Sequence, residues 1–238
     1  LDYQIQAQSG NNHDVTTYKE NSVLGDFSTN DFIYRKDIEE GGGYGLSANV
    51  GYEISPNSSA RLSGQFTEGT NDTDISRKTV NLRSQPGIES YQREDIRSKV
   101  NNWEVGGDYE YNTARGDRFK VLFISNSFTP DRIRERWNLT GPSSESKNLF
   151  LDSTSTTEER ILRSSYTLDL FGGSQDLEFG AERAQTILDS SLALGTLNPD
   201  GVGSAAVGGL VPVAVPNARS SVEEMRYEPF IIHNWVFN

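Results

Sequence analysis

The chain has no cysteine. That excludes a disulfide framework, a thiolate metal site and a cysteine nucleophile, and it suits an oxidising envelope compartment. Histidine is nearly absent too, with only His13 and His233. Two imidazoles cannot build a zinc site without several carboxylates, so neither metal nor cofactor is expected. No run of 18 or more apolar residues exists, which excludes a membrane-spanning helix. There is no basic, then apolar, leader segment. The chain opens at Leu1 already in an alternating pattern and reads as mature or internal. Lysine and arginine number 22 against 34 aspartates and glutamates, a net charge of -12, which argues against a nucleic-acid partner. Apolar residues make up only 34%, and the mean hydropathy is -0.60. That is low for a chain of 238 residues built on one large closed core. Aromatics are not scarce, with 10 Tyr, 11 Phe and 3 Trp, which argues against disorder. A sheet in which only every second residue is apolar reconciles the two.

Alternation with a period of two is the dominant signal. Tyr44, Leu46, Ala48, Val50 and Tyr52 share one face, opposed by Gly45, Ser47, Asn49 and Gly51. A Ser55-Pro56-Asn57-Ser58 turn follows, then Ala60, Leu62, Gly64 and Phe66 against Arg61, Ser63, Gln65 and Thr67. The pattern recurs over 103–111, 119–124 (where Leu122 and Ile124 blur it), 162–170 and 177–182. It also opens the chain at 1–7 and closes it near 224–237. In that last strand Tyr227, Ile231 and Trp235 compete with Phe230, Ile232 and Val236 for the apolar face. Eight strands are therefore expected, in a single segment over 1–238.

Their connections alternate in length. Those near 54–59, 112–117 and 171–175 are tight; those near 10–42, 69–98, 128–157 and 189–221 are long and polar or glycine-rich. Outer-membrane barrels sort their connections this way, with short periplasmic turns and long extracellular loops. Arg77–Arg83 and Gln92–Lys99 read as β-ribbon extensions of such loops, and 189–221 as a flexible one. Tyr44 and Tyr52 lie eight residues apart, roughly 26 Å along a strand at ~3.3 Å per residue. Tyr44 and Tyr52, like Trp103 and Tyr111, are thus placed as interface aromatics at the two edges of an apolar band. The opposite face carries Arg61, Glu104, Asp108, Arg163, Glu178 and Glu182, expected to face a lumen. The fold class expected is all-β, antiparallel and up-and-down, with transmembrane β-barrel strands belonging to a larger barrel.

At this point the chain resembles the barrel region of TonB-dependent outer-membrane receptors. The stretches that carry the likeness are Tyr44–Tyr52 with its hairpin partner, Trp103–Tyr111, Glu159–Leu170 leading into Leu177-Glu-Phe-Gly-Ala-Glu-Arg183, and Arg226–Trp235. The likeness is one of texture over most of the chain. It implies a 22-stranded barrel closed by a plug domain, and TonB-driven import of a siderophore, cofactor, sugar or peptide. It implies the bacterial outer membrane as location. Lipid or lipopolysaccharide, the plug, the TonB complex and a surface lipoprotein are the partners implied. No plug and no TonB box are present in these residues, and the chain ends at Asn238 rather than on an aromatic. Both fit a barrel segment without its plug.

Other chemistry is sparse, and catalysis is not expected. Asp72 and Asp74, or Glu39 and Glu40, offer oxygen ligands but lack EF-hand spacing. Glu158-Glu159 and Glu223-Glu224 are adjacent pairs, which strands point to opposite faces, unlike the paired carboxylates of a glycosidase. His13 is expected to be solvated in a loop. Asp131–Trp137 is the densest charged stretch, read as a loop. Its Arg132, Arg134 and Trp137 combine planar guanidinium forks with a stacking face and form the candidate ligand contact. Two rival readings remain: a small structural or adhesive eight-stranded outer-membrane barrel, and a soluble carbohydrate-binding β-sandwich.

Overall fold

The computed structural model describes residues 1–84, 86–141, 144–170 and 174–235. Eight long strands follow one another: β1 (Asp2–Val23), β2 (Thr29–Ser55), β3 (Ser58–Asn81), β4 (Ile88–Asn112), β5 (Arg118–Gly141), β6 (Ser144–Leu170), β7 (Gln175–Thr196) and β9 (Arg219–Trp235). A two-residue β8 (Val211–Pro212) and a 3-10 turn (Ala205–Val207) lie between the last two. No α-helix occurs among the described residues. All pairings are antiparallel between neighbours, with β9 and β8 both beside β7, in a single sheet. The sheet does not close: β1 pairs only with β2, and β9 only with β7.

Among the described residues there is one sheet and no second one covers it, unlike the two packed sheets of a sandwich. Leu46, Leu62 and Leu162 are each 53% exposed, where a sandwich would bury them. The alternation read from sequence does set the faces. Tyr52, Ala60, Tyr109, Val121, Ser164, Ala181 and Pro229 lie in one transverse row. The last strand, ambiguous in sequence, is resolved by its neighbour. Ile231 pairs with Phe179 and Tyr227 with Arg183, so Tyr227 and Ile231 join the apolar face and Phe230 and Ile232 the polar one. Val236 lies outside the described residues, as do Gly172 and Gly173 of the third tight turn.

The long loops are mostly not loops. The strands run for 22 to 27 residues, except for shorter β9 with 17. The connections shrink to 24–28, to a stretch bounded by Asn81 and Ile88, and to one bounded by Gly141 and Ser144. Charged and polar residues occupy both faces there. Asp131–Trp137 belongs to β5, and His13 to β1. The segment 197–218 is also ordered. It buries Val207 and Leu210, and Gly195 of β7 makes room for them. A Cβ at Gly195 would stand 2.8 Å from Val207 and 3.0 Å from Leu210.

The apolar band crosses the sheet on a diagonal. Trp103 marks its distal edge in β4, away from the tight turns. Its row passes through Ser127, Glu158 and Ile187 to Glu223 in β9. The band's distal aromatic in β9 is Tyr227, four residues nearer the turns after four strand steps. The turn-side edge shifts alike. The row of Tyr52 reaches Pro229, and Trp235 lies six residues further after six steps. One residue per strand is ~3.3 Å along for ~4.8 Å across, a slope of about 35°.

Departures from the ladder avoid this band. Pairing between β5 and β6 passes from Phe128–Thr157 to Asp131–Thr154, beside Pro130, which has no N–H to give. The Thr129 and Thr156 hydroxyls, 3.1 Å apart, bridge the gap. Within the band the tightest fit is at Gly180, opposite Phe230. A Cβ there would meet the Ser164 carbonyl and come 2.6 Å from the Phe230 ring. Gly180→Val should therefore destabilise the β7–β9 end by about 1–3 kcal/mol. Urea unfolding of the detergent-solubilised protein reads this as a lowered midpoint; an unchanged midpoint would contradict the packing.

Candidate functional site on the polar face

The residues singled out on the polar face fall into register. Arg61, Asp108, Leu122, Arg163, Glu182 and Glu228 form one transverse row. Glu104 lies in the row of Gln65 and Asn126, and Glu178 pairs with Thr167. From Arg61 to Glu182 the charges alternate in sign, and Glu228 adds a second carboxylate beside Glu182. Arg61 stands 3.7 Å from Asp108, and Arg163 lies 3.9 Å from Glu178 and 4.0 Å from Glu182. Arg226 adds contacts of 3.4 Å to Glu182 and 2.9 Å to Glu228. The Arg163 guanidinium also stacks over Phe230, 4.3 Å from the ring centroid, the ring that Gly180 admits. Exposed pairs of this kind contribute ~0–1 kcal/mol each. Their consequence is electrostatic: Arg61, Arg163 and Arg226 stand against Glu104, Asp108, Glu178, Glu182 and Glu228, so this part of the face is acidic. Leu122 and Ile124, which blurred the alternation, fall on this face, beside Ile161.

A second cluster lies distally on the same face. Asp37 and Glu94 are buried, at 4% and 5% exposure. Arg35 donates two hydrogen bonds to Asp37, of 2.7 and 2.6 Å. Those bonds raise the Arg35 pKa above its ordinary value, against the opposing effect of burial. Arg134 binds Glu94 at 2.7 Å. Arg136 donates to Asn148, whose amide donates to Asn138, which also accepts from Gln92.

The predicted ligand contact is therefore split. Arg132 and Arg134 lie opposite Ser98 and Ile96 on the polar face, whereas Trp137 lies opposite Arg93 on the other. Read as a loop, the stretch 131–137 suggested one cluster; as a strand it cannot form one, because 134 and 137 differ by an odd number. Trp137 is instead held between Arg93 at 4.0 Å and Lys147 at 5.3 Å from its ring centroid. Those cations are held in turn by Asp95 and Glu145, and by Glu135. The signal for the true cluster was present. Arginine at 132, 134 and 136 has the period of a strand face.

The remaining candidates do not assemble. Tyr44, Tyr52, Trp103 and Tyr111 all lie on the apolar face and are exposed. His13 sits 3.2 Å from Glu40, and His233 is 3.2 Å from Gln175. Among the described residues no three His, Asp or Glu side chains come together as a metal site. No helix is long and apolar enough to cross a membrane. No known protein-family model matches this chain, and a search of curated proteins finds no match.

Glu94 is the most buried acid of any cross-strand ion pair among the described residues. Glu94→Gln should cost about 1–2 kcal/mol, toward the low end for a buried pair because Arg134 is partly solvated. Amide hydrogen exchange in distal β4 and β5 should then quicken roughly tenfold. Equal protection in wild type and variant would show that the pair does not hold the ribbon together.

Proposed function

We propose that these strands wall a bacterial outer-membrane β-barrel of the TonB-dependent receptor type, with the apolar face on lipid and the polar face on the pore. The diagonal of the apolar band carries this reading. A barrel strand must tilt about 35–45° from the axis. An apolar belt level with the membrane then crosses the hydrogen-bonded rows at that same angle. The slope of about 35° follows from register and side-chain identity together. A sheet covered by protein has no reason to keep such a belt level.

In this reading Tyr44, Trp103 and Tyr227 lie at the outer headgroup level, and Tyr52, Tyr111 and Trp235 at the periplasmic one. Arg61, Glu104, Asp108, Arg163, Glu178 and Glu182 line the lumen, where a plug or a passing solute meets them. The free edges of β1 and β9 are continued by further strands, since an open edge in lipid leaves backbone groups unsatisfied. The distal ribbons stand outside the cell and display the capture surface. The protein is a transporter, not an enzyme. Lipopolysaccharide surrounds it, the TonB complex energises it, and a surface lipoprotein is a candidate partner.

The test is site-directed nitroxide labelling of the protein in outer-membrane vesicles. Labels at Leu46, Phe123 and Leu162 should collide with oxygen and be shielded from a water-soluble nickel relaxant. Labels at Ser63, Asn126 and Ile38 should show the reverse. Nickel access at the first three equal to that at Ile38 would end the membrane reading.

A further inference from the structure

We infer that the distal polar face of β3–β5 binds a small, oxygen-rich anion bearing several carboxylate or phosphate groups. The inference rests on the receptor reading only for the direction from which the ligand arrives. In the rows from Asn71–Ser98–Arg132 to Arg77–Gln92–Asn138, this face holds four arginines and one carboxylate. That reverses the sign of a chain whose net charge is -12.

The single carboxylate, Glu94, is taken by Arg134. On the flanking strand, Asp37 is taken by Arg35, which leaves Glu39 as the nearest other acid. Arg77, Arg132 and Arg136 form no ion pair among the described residues. The Arg77 Nε is buried with no hydrogen-bond partner. A buried guanidinium N–H without an acceptor is costly, and an oxyanion acceptor removes that cost. Between the arginines stand the amides of Gln92 and Asn138, donors suited to ligand hydroxyl and carboxylate oxygens. The patch spans about 10 Å across the strands and about 20 Å along them. That suits a multiply charged small molecule and exceeds a single phosphate. Guanidinium forks bind such oxygens two at a time.

The test is titration calorimetry on the full chain in detergent micelles at low ionic strength, with citrate and inorganic pyrophosphate as probes. The wild type should bind at least one of them, more weakly as salt rises. Arg77→Gln with Arg136→Gln should weaken binding at least tenfold, while Arg97→Gln, on the opposite face of β4, should leave it within twofold. Glu94→Gln provides a second reading that a purely structural role would not move: removing the only negative charge in the patch should tighten binding several-fold. Absence of wild-type binding to both probes overturns the inference. So does affinity unchanged in the double variant, or unchanged or weakened binding in Glu94→Gln. Binding in micelles does not depend on which face meets lipid. Citrate binding together with water-exposed labels at Leu46 would keep the anion site and sink the barrel; lipid-shielded labels with no anion binding would do the opposite.

Discussion

The antiparallel backbone ladder is the constraint from which everything else in this molecule follows. Each strand interior satisfies its N–H and C=O groups on its neighbours, through pairings that run almost unbroken from β1 to β9. Register then decides which side chains share a face, and a slip of one residue would exchange Leu46 for Ser47 and Arg61 for Leu62. The irregularities lie where water can repair them. Bulges fall at Ser22/Val23, at Glu53/Ser55 beside the first turn, and at Arg136/Trp137 and Leu139/Gly141 far out on β5. Across the apolar band the ladder is regular, as a hydrocarbon surrounding would require.

The polar face balances its charge differently at its two levels. Near the turns, Arg61 and Arg163 lie up to 4.0 Å from their carboxylates and are partly exposed. Farther out, Asp37 and Glu94 are buried and held at close range by Arg35 and Arg134. The first arrangement leaves carboxylates in excess, with Arg61, Arg163 and Arg226 against Glu104, Asp108, Glu178, Glu182 and Glu228. The second takes up Asp37 and Glu94 and leaves Arg77, Arg132 and Arg136 without an ion pair among the described residues, so one continuous face presents two electrostatic characters.

The distal ribbons must persist in water with few apolar contacts. Cross-strand pairs of cations with aromatic rings supply part of what holds them. Lys19, Tyr34, Lys78 and Tyr91 lie in one row. Lys19 stands 5.9 Å from the Tyr34 ring and Lys78 5.6 Å from that of Tyr91. Lys78 also binds Glu89 at 2.7 Å, which raises the lysine pKa and lowers that of the glutamate. Contacts of this sort stabilise exposed strands by about 0.5–1 kcal/mol each. Trp137 belongs to this scaffold and not to the polar-face cluster.

Composition and alternation alone determined the strand class, the first two tight turns, and the two faces over 44–52, 60–67, 103–111 and 162–170, because side-chain direction in a strand depends only on parity. The same local rule put Arg61, Asp108, Arg163 and Glu182 on one face; the register brought them into one row. The rule failed at Asp131–Trp137 and over 10–42, where polar sequence resembles a loop: with water on both faces, burial no longer writes an alternation into the residues. Tertiary pairing decided what parity could not. It set the face of Phe230 against Phe179, ordered 197–218 over Gly195, separated Arg134 from Trp137, and aligned the apolar segments on a diagonal. Those are relations between strands, and hydrogen bonds between distant segments carry them, so no single segment of sequence records them.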